Sequence, residues 1–89
     1  MITFEFFGAP RLRAGTARLT LDEPATALGP ALDRLGRECP ALAGTVLQAG
    51  GRAHPAYRLC LNGERFVSDP GTPLAEGDVL LVLSADVGG

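Results

Sequence analysis

Residues 79–83 have the sequence VLLVL, which is apolar at all five positions. A strand that is buried on one face alternates apolar and polar residues, so this run predicts a central strand that is covered on both faces. The preceding stretch, Leu74-Ala75-Glu76-Gly77-Asp78, predicts a compact turn. Residues 84–89 follow with the sequence SADVGG. The chain therefore carries a short tail after its most apolar strand.

The first twenty residues predict a hairpin. Residues 2–7 and 16–21 each alternate apolar and polar side chains, which is typical of half-buried strands. Gly8-Ala9-Pro10 is a breaker cluster, and residues 11–15 are expected to form a loop between the strands. The apolar face of the first strand consists of Ile2, Phe4 and Phe6, and Phe7 places an aromatic ring on the other face.

A helix is predicted next. Thr26 is a suitable N-cap, Pro30 is tolerated in the first turn, and Pro40 ends the helix. Five apolar residues recur at helical spacing and form one apolar stripe along the predicted helix. These residues are Leu28, Ala31, Leu32, Leu35 and Cys39.

The second half of the chain predicts another hairpin. Residues 57–61 alternate as a strand, Asn62-Gly63 is the strongest two-residue hairpin signal, and residues 64–67 follow as a short strand. Residues 41–47 are compatible with a short extra turn of helix. Residues 49–55 are rich in glycine and predict a flexible loop.

This order of elements predicts one α+β domain over residues 1–89. Its economical arrangement is the β-grasp, or ubiquitin-like, fold: a mixed sheet of four to five strands packed on one main helix. The first and last strands are expected to lie side by side in the middle of the sheet. Residues 84–89 are expected to form a flexible tail.

Composition argues against several classes of protein. The chain has 89 residues, a net charge of −2 and no run of arginines, which disfavours a nucleic-acid partner. Cys39 and Cys60 are 21 positions apart with no CxxC, so no metal site is expected. No signal peptide or membrane span is expected either. These features predict a cytoplasmic protein with reduced thiols.

No side-chain constellation predicts catalysis by the chain itself. His54 is the only histidine, and it is expected to be a solvated loop residue. Asp69, Glu76 and Asp78 lie in predicted turns, where carboxylates favour backbone capping over metal binding. The remaining reactive group is the carboxylate of Gly89. Two glycines give the slimmest chain that could enter a narrow site of another enzyme.

The two ends of the chain together resemble the MoaD/ThiS family of sulfur carriers, and above all the small subunit of molybdopterin synthase. The first matching segment is residues 6–15, FFGAPRLRAG, which is similar to the opening strand and arginine-containing loop of that family. The second is residues 73–79, PLAEGDV, followed by Val87-Gly88-Gly89 at the exit. Residues 43–55 match no segment of the family.

The resemblance implies a non-catalytic carrier with no permanently bound cofactor. A MoeB/ThiF-like activating enzyme would use ATP to adenylate Gly89, and a sulfurtransferase would convert it to a thiocarboxylate. Gly88 and Val87 would thread into the partner. The acceptor would be a synthase such as the large subunit of molybdopterin synthase, and carriers for cysteine, thiamin, tRNA or natural products are alternatives. Two rival interpretations are a ubiquitin-like protein modifier and a β-grasp binding domain whose Gly-Gly end is accidental.

Four residues are expected to form a partner interface. Alternation places Phe7, Leu80 and Val82 on the sheet face away from the helix, where an exposed apolar patch would mark a docking surface. The alternative is that residues 41–56 cover this face and make these residues core. Arg11 matches the family's loop arginine and is expected either to pair with a partner or to be a solvated turn residue.

Overall fold

The computed structural model of the chain describes residues 1–22 and 27–85. Within these residues a larger sheet, a two-stranded hairpin and two α-helices are present. The elements are β1 (Ile2–Phe6), α1 (Ala9–Ala14), β2 (Arg18–Leu21), α2 (Leu28–Glu38), a 3-10 turn (Pro40–Leu42), β3 (Leu47–Gln48), β4 (Arg52–Ala53), β5 (Tyr57–Leu61), β6 (Arg65–Val67) and β7 (Val79–Ser84).

The larger sheet has the strand order β2-β1-β7-β5-β6. β1 and β7 run parallel in its centre, with Phe4 opposite Leu80 and Phe6 opposite Val82, and the other neighbours are antiparallel. The prediction that the first and last strands pair in the middle is therefore confirmed. The α+β class with a mixed sheet and one main helix is confirmed as well.

The core lies between this sheet and α2. The apolar stripe of α2 is buried from Leu28 to Leu35 as its spacing predicts, and burying each leucine contributes about 1.5–3 kcal/mol. Cys39, the last predicted member, lies just after the helix and is half-buried. The predicted cap, Thr26, lies outside the described residues. The first amides of α2 donate to backbone carbonyls of another loop: Leu28 N–H to Thr72 at 2.9 Å and Gly29 N–H to Pro70 at 2.9 Å. That loop therefore fixes where the helix begins.

The loop predicted over residues 11–15 is wrong, because α1 occupies most of it. Gly8 has a φ of 67°, which redirects the chain after β1, and proline suits the first helical turn, which needs no N–H there. Gly15 ends the helix in the left-handed region and donates its N–H to the Arg11 carbonyl at 3.0 Å. The breaker cluster thus starts a helix instead of a loop.

Residues 41–56 are folded, so the flexible loop predicted over residues 49–55 is also wrong. β3 and β4 form an antiparallel hairpin, and its turn contains Gly50 and Gly51, whose φ angles are 82° and 69°. Gly51 is buried against α2, and a Cβ added to it would lie 2.6 Å from the Cα of Gly29. The glycines therefore allow two backbones to touch.

The turn before β7 is held by side chains. Asp78 accepts hydrogen bonds from the Ala75 N–H at 2.8 Å and the Asn62 side-chain amide at 3.0 Å, and these bonds hold the pKa of its carboxyl below the ordinary value. The Asn62 side-chain carbonyl accepts from the Val79 N–H at 2.8 Å. The predicted Asn62-Gly63 turn thus also fixes the first residue of β7.

The contact between Gly51 and Gly29 predicts a difference between two neighbouring substitutions. Gly50→Ala adds a Cβ in open space, so it should cost only the left-handed backbone strain of about 1–2 kcal/mol. Gly51→Ala suffers the same strain and also overpacks the contact, which should cost about 1–3 kcal/mol more. Urea unfolding of both variants measures the difference. Equal losses would show that the hairpin does not press on α2.

Candidate functional site

The end of β7 positions the tail. Ser84 lies opposite Tyr57, and the Ala85 N–H donates to the Ala56 carbonyl at 2.7 Å. On the other side of β7, the Phe7 N–H donates to the Val82 carbonyl at 3.0 Å. The chain is therefore held on the β1 side up to Val82 and on the β5 side up to Ala85. The predicted site residues Val87, Gly88 and Gly89 lie outside the described residues.

The sheet face away from α2 is partly apolar and partly exposed, and we call it the open face. The register defines its members, because side chains directly opposite each other on paired strands share a face. Phe66 is 58% exposed and Phe7, the residue after β1, is 46% exposed. The apolar residues of the open face are Phe7, Cys60, Phe66, Val79, Leu81 and Leu83.

Leu80 and Val82 do not belong to the open face, which corrects the prediction made for them. They are 0% and 1% exposed and lie opposite Phe4 and Phe6 in the core. The physical reason is that β7 is apolar on both faces, so alternation could not tell which residues point to the helix. Pairing with β1 decides this, and it turns Leu81 outward instead.

Phe7 and Arg11 are both exposed and line the same depression, of about 420 Å³, at the edge of the open face. The depression also contains an ion pair between Glu5 and Arg18, with an N–O distance of 3.1 Å. Arg11 lies on α1, whose direction is set by Gly8. An apolar ring beside a guanidinium is a suitable contact for a partner with an apolar patch and a carboxylate.

Phe66 and Leu81 are among the open-face residues that were not predicted from the sequence. Phe66 on β6 lies opposite Cys60, and the Arg58 guanidinium carbon is 5.3 Å from the centre of its ring. A two-residue Asn62-Gly63 turn would pair Leu61 with Glu64 and Leu59 with Phe66, which would place Phe66 in the core. Glu64 is instead an extra residue of the connection, so Leu61 lies opposite Arg65, and Phe66 shares the face of Cys60 and Leu81.

The other polar candidates have structural roles. His54 is half-buried rather than solvated, since its Nδ1 accepts the Ala56 N–H at 3.0 Å and its ring meets Tyr57 edge-on. Asp69 accepts the Gly71 N–H at 2.8 Å, so the capping role predicted for the turn carboxylates is confirmed for Asp69 and Asp78. Within residues 1–22 and 27–85, no group of three or more potential metal ligands is present.

None of the helices in the described part of the chain has the length and apolar character that crossing a membrane requires.

Comparison with solved structures identifies the class. SAMP1 from Haloferax volcanii matches with a TM-score of 0.80 and 27% identity over 99% of this chain and 98% of that chain. The CysO/BexX complex of Amycolatopsis orientalis contains a match with a TM-score of 0.76 and 16% identity, covering 100% of both chains. No protein-family model and no curated protein matches the sequence.

The fold and the strand that presents the tail define a ubiquitin-like protein of the β-grasp class. Its structural neighbours are MoaD/ThiS-like carriers and modifiers, so the resemblance found in the sequence is confirmed. A further neighbour, assigned as molybdopterin converting factor subunit 1 of Pyrococcus furiosus, has a TM-score of 0.69 and 19% identity over 93% of this chain and 94% of that chain. These neighbours show that the chain has the fold of small ubiquitin-like proteins.

The assignment of faces on β7 predicts opposite outcomes for adjacent leucines. Leu80→Ala removes a side chain from the core, so it should lower the free energy of unfolding by about 2–5 kcal/mol. Leu81→Ala removes a half-buried side chain from the open face and should cost only about 1 kcal/mol. Chemical denaturation measures both variants. A larger loss for Leu81→Ala would contradict this register.

Proposed function

We propose that the protein is a sulfur carrier that is activated at the carboxylate of Gly89, with molybdopterin synthesis as the leading pathway. The observation that carries the proposal is the course of β7, a central strand held on the β1 side up to Val82 and on the β5 side up to Ala85, four residues before Gly89. A rigid exit lowers the entropy lost when a partner captures the tail. Four residues span at most about 14 Å, so the reacting carbon would lie within that distance of Ala85.

In the proposed function the partner enzymes carry out the reactions, and this chain supplies the carboxylate that reacts. A carboxylate is a poor electrophile, and a MoeB/ThiF-like enzyme would join the Gly89 carboxylate to the α-phosphate of ATP, with release of pyrophosphate. The persulfide of a sulfurtransferase would then displace AMP from the carbonyl carbon and give an acyl disulfide. A second thiol would reduce that disulfide, releasing the thiocarboxylate and forming a new disulfide with the sulfurtransferase. Gly88 and Val87 would lie in the partner's channel, where a residue without a Cβ fits most easily.

The open face would dock these partners. It carries two exposed aromatic residues, Phe7 and Phe66, beside the end of the strand that leads into the tail. Aromatic side chains at the centre of an interface contribute much of its binding energy. Arg11, which lines the same depression as Phe7, adds a positive charge at the rim of the open face. A partner that covers the open face would therefore receive the tail at the same time.

Modification of proteins is the second candidate. The 27% identical neighbours come from structures of SAMP1, the small archaeal modifier protein 1 of Haloferax volcanii. In that function Gly89 would form an amide bond with lysines of target proteins. All eight basic residues of this chain are arginines, so the protein could not build lysine-linked chains on itself.

Intact-mass measurement tests the proposal. The full chain, incubated with its activating enzyme, ATP and a sulfur source, should gain the mass that corresponds to replacing one oxygen by one sulfur at Gly89. Deletion of Gly89 should abolish the gain and leave urea unfolding unchanged, because the deletion touches no core residue. An unchanged mass with active enzymes would contradict the proposal, and conjugates of higher mass would favour the modifier.

Docking through the open face predicts a selective loss in the same assay. Phe7→Ser should raise the KM of the activating enzyme for the carrier roughly tenfold, because it removes an exposed ring from the interface without opening the core. Leu12→Ser is the matched control, since Leu12 is 85% exposed and lies on α1 rather than on the sheet. Equal KM values for Phe7→Ser and the original protein would exclude Phe7 from the docking surface.

A further inference from the structure

A groove of about 470 Å³ lies between the β3–β4 hairpin and the β5–β6 edge of the larger sheet. Its size is within the range of about 300–1,000 Å³ that is common for ligand sites. Arg52 and Gln48 reach it from the hairpin, Tyr57 and Arg58 from β5, and Phe66 and Ser68 from β6 and the residues after it. The groove therefore depends on residues 43–55, which match no segment of the family resembled.

The lining of the groove is positively charged, although the net charge of the chain is negative. The chain has a net charge of −2, yet two arginines and no carboxylate line the groove. Neither Arg52 nor Arg58 forms an ion pair with a carboxylate of the described residues. Arg58 stacks on the Phe66 ring, which orients its guanidinium and leaves the edge N–H groups available. Such a guanidinium binds a carboxylate in a two-point contact.

The groove also adjoins a free sheet edge. β6 ends the strand order of the larger sheet, so its outer side has no neighbouring strand within the described residues. An extended peptide can add to such an edge through backbone hydrogen bonds, while its alternate side chains enter pockets beside it. The neighbouring side chains of Gln48, Tyr57 and Ser68 supply further hydrogen-bond donors.

The position of the groove connects it to the tail. Tyr57 lies opposite Ser84 at the end of β7, and the Ala85 N–H donates to the Ala56 carbonyl at 2.7 Å. A protein that receives the residues after Ala85 would therefore lie next to the groove. Charge complementarity then requires that the part of this partner over Arg52 and Arg58 be acidic.

We infer that the groove is a second docking site, separate from Phe7 and Arg11, that binds an extended acidic segment of the protein that receives the tail. Carboxylates of that segment contact Arg52 and Arg58, and its backbone extends along β6. The identity of the partner depends on the proposed function. The preference for an acidic extended peptide depends only on the groove.

The test uses the full chain, labelled with ¹⁵N, and a capped eight-residue peptide of alternating aspartate and valine. Amide shifts should change at residues 48–58 and 65–68, and the affinity should fall as salt rises. The double variant Arg52→Gln/Arg58→Gln should bind at least about tenfold more weakly, which corresponds to the loss of one charge-assisted contact. The spectrum of the free variant verifies that it is folded.

The matched control is Arg13→Gln/Arg37→Gln, which removes the same charge at exposed arginines outside the groove. It should bind within roughly twofold of the original chain, because exposed charges at a distance are screened. A peptide of asparagine and valine should not bind. Equal binding of that peptide, equal losses in both double variants, or shifts confined to residues 5–11 and 79–83 would overturn the inference.

Three further outcomes distinguish the groove inference from a nucleic-acid site and from the proposed function. A thymidine oligonucleotide that binds the groove more tightly than the aspartate peptide would overturn the peptide assignment in favour of nucleic acid. Peptide binding at the groove without sulfur gain at Gly89 would support the groove and contradict the proposed function. Sulfur gain with no peptide binding would overturn the groove inference alone.

Discussion

The parallel pairing of β1 with β7 is the contact on which the rest of the structure depends. It joins the two ends of the chain through four residue pairs, from Thr3 with Val79 to Phe6 with Val82. Both strands contribute large side chains to the core, and every other strand of the larger sheet attaches to one of them or to β5 beside β7. Losing this pairing would therefore remove the middle of the sheet and the base of the tail together.

The same pairing divides the sheet into a buried and an exposed face. Phe4 and Leu80 lie opposite each other and share the face toward α2. Glu5 and Leu81, the next residues along the two strands, therefore face outward. Because strand side chains alternate with a period of two, a slip of one residue would exchange these faces completely. The contacts of Asn62 and Asp78 with Val79 and Ala75 oppose such a slip by fixing where β7 begins. Local turn chemistry thus helps to determine which surface is available to partners.

The sequence was informative where a pattern was periodic or a turn residue was specific. The stripe from Leu28 to Leu35 and the alternation of Ile2, Phe4 and Phe6 predicted the observed packing. Asn62-Gly63 predicted the position of the turn but not the extra residue, Glu64, before β6. The sequence did not predict the features that depend on contacts between residues far apart in the chain. Leu80 and Leu81 are equally apolar, so only their partners on β1 distinguish core from surface.

The flexible loop predicted over residues 49–55 was a second incorrect prediction, and its cause was the pair of glycines in that segment. Gly50 and Gly51 are compatible with a loose loop, and only the approach of Gly51 to Gly29 shows why a hairpin forms there. The groove beside that hairpin could not be predicted from the sequence for the same reason. Arg52 and Arg58 are separated along the chain by other residue types, and the fold alone makes them line one surface.

The order in which the strands are synthesised gives the central pairing a consequence for assembly. β1 is made first and β7 last of the described strands, so β1 must wait for almost the whole domain before its parallel partner exists. Contacts between distant parts of a chain make folding slower than local contacts do. A newly made chain consequently cannot complete the centre of the sheet until β7 has been synthesised. Ala85 therefore gains its hydrogen bond to Ala56 only in a finished domain, and an incomplete copy lacks this anchor.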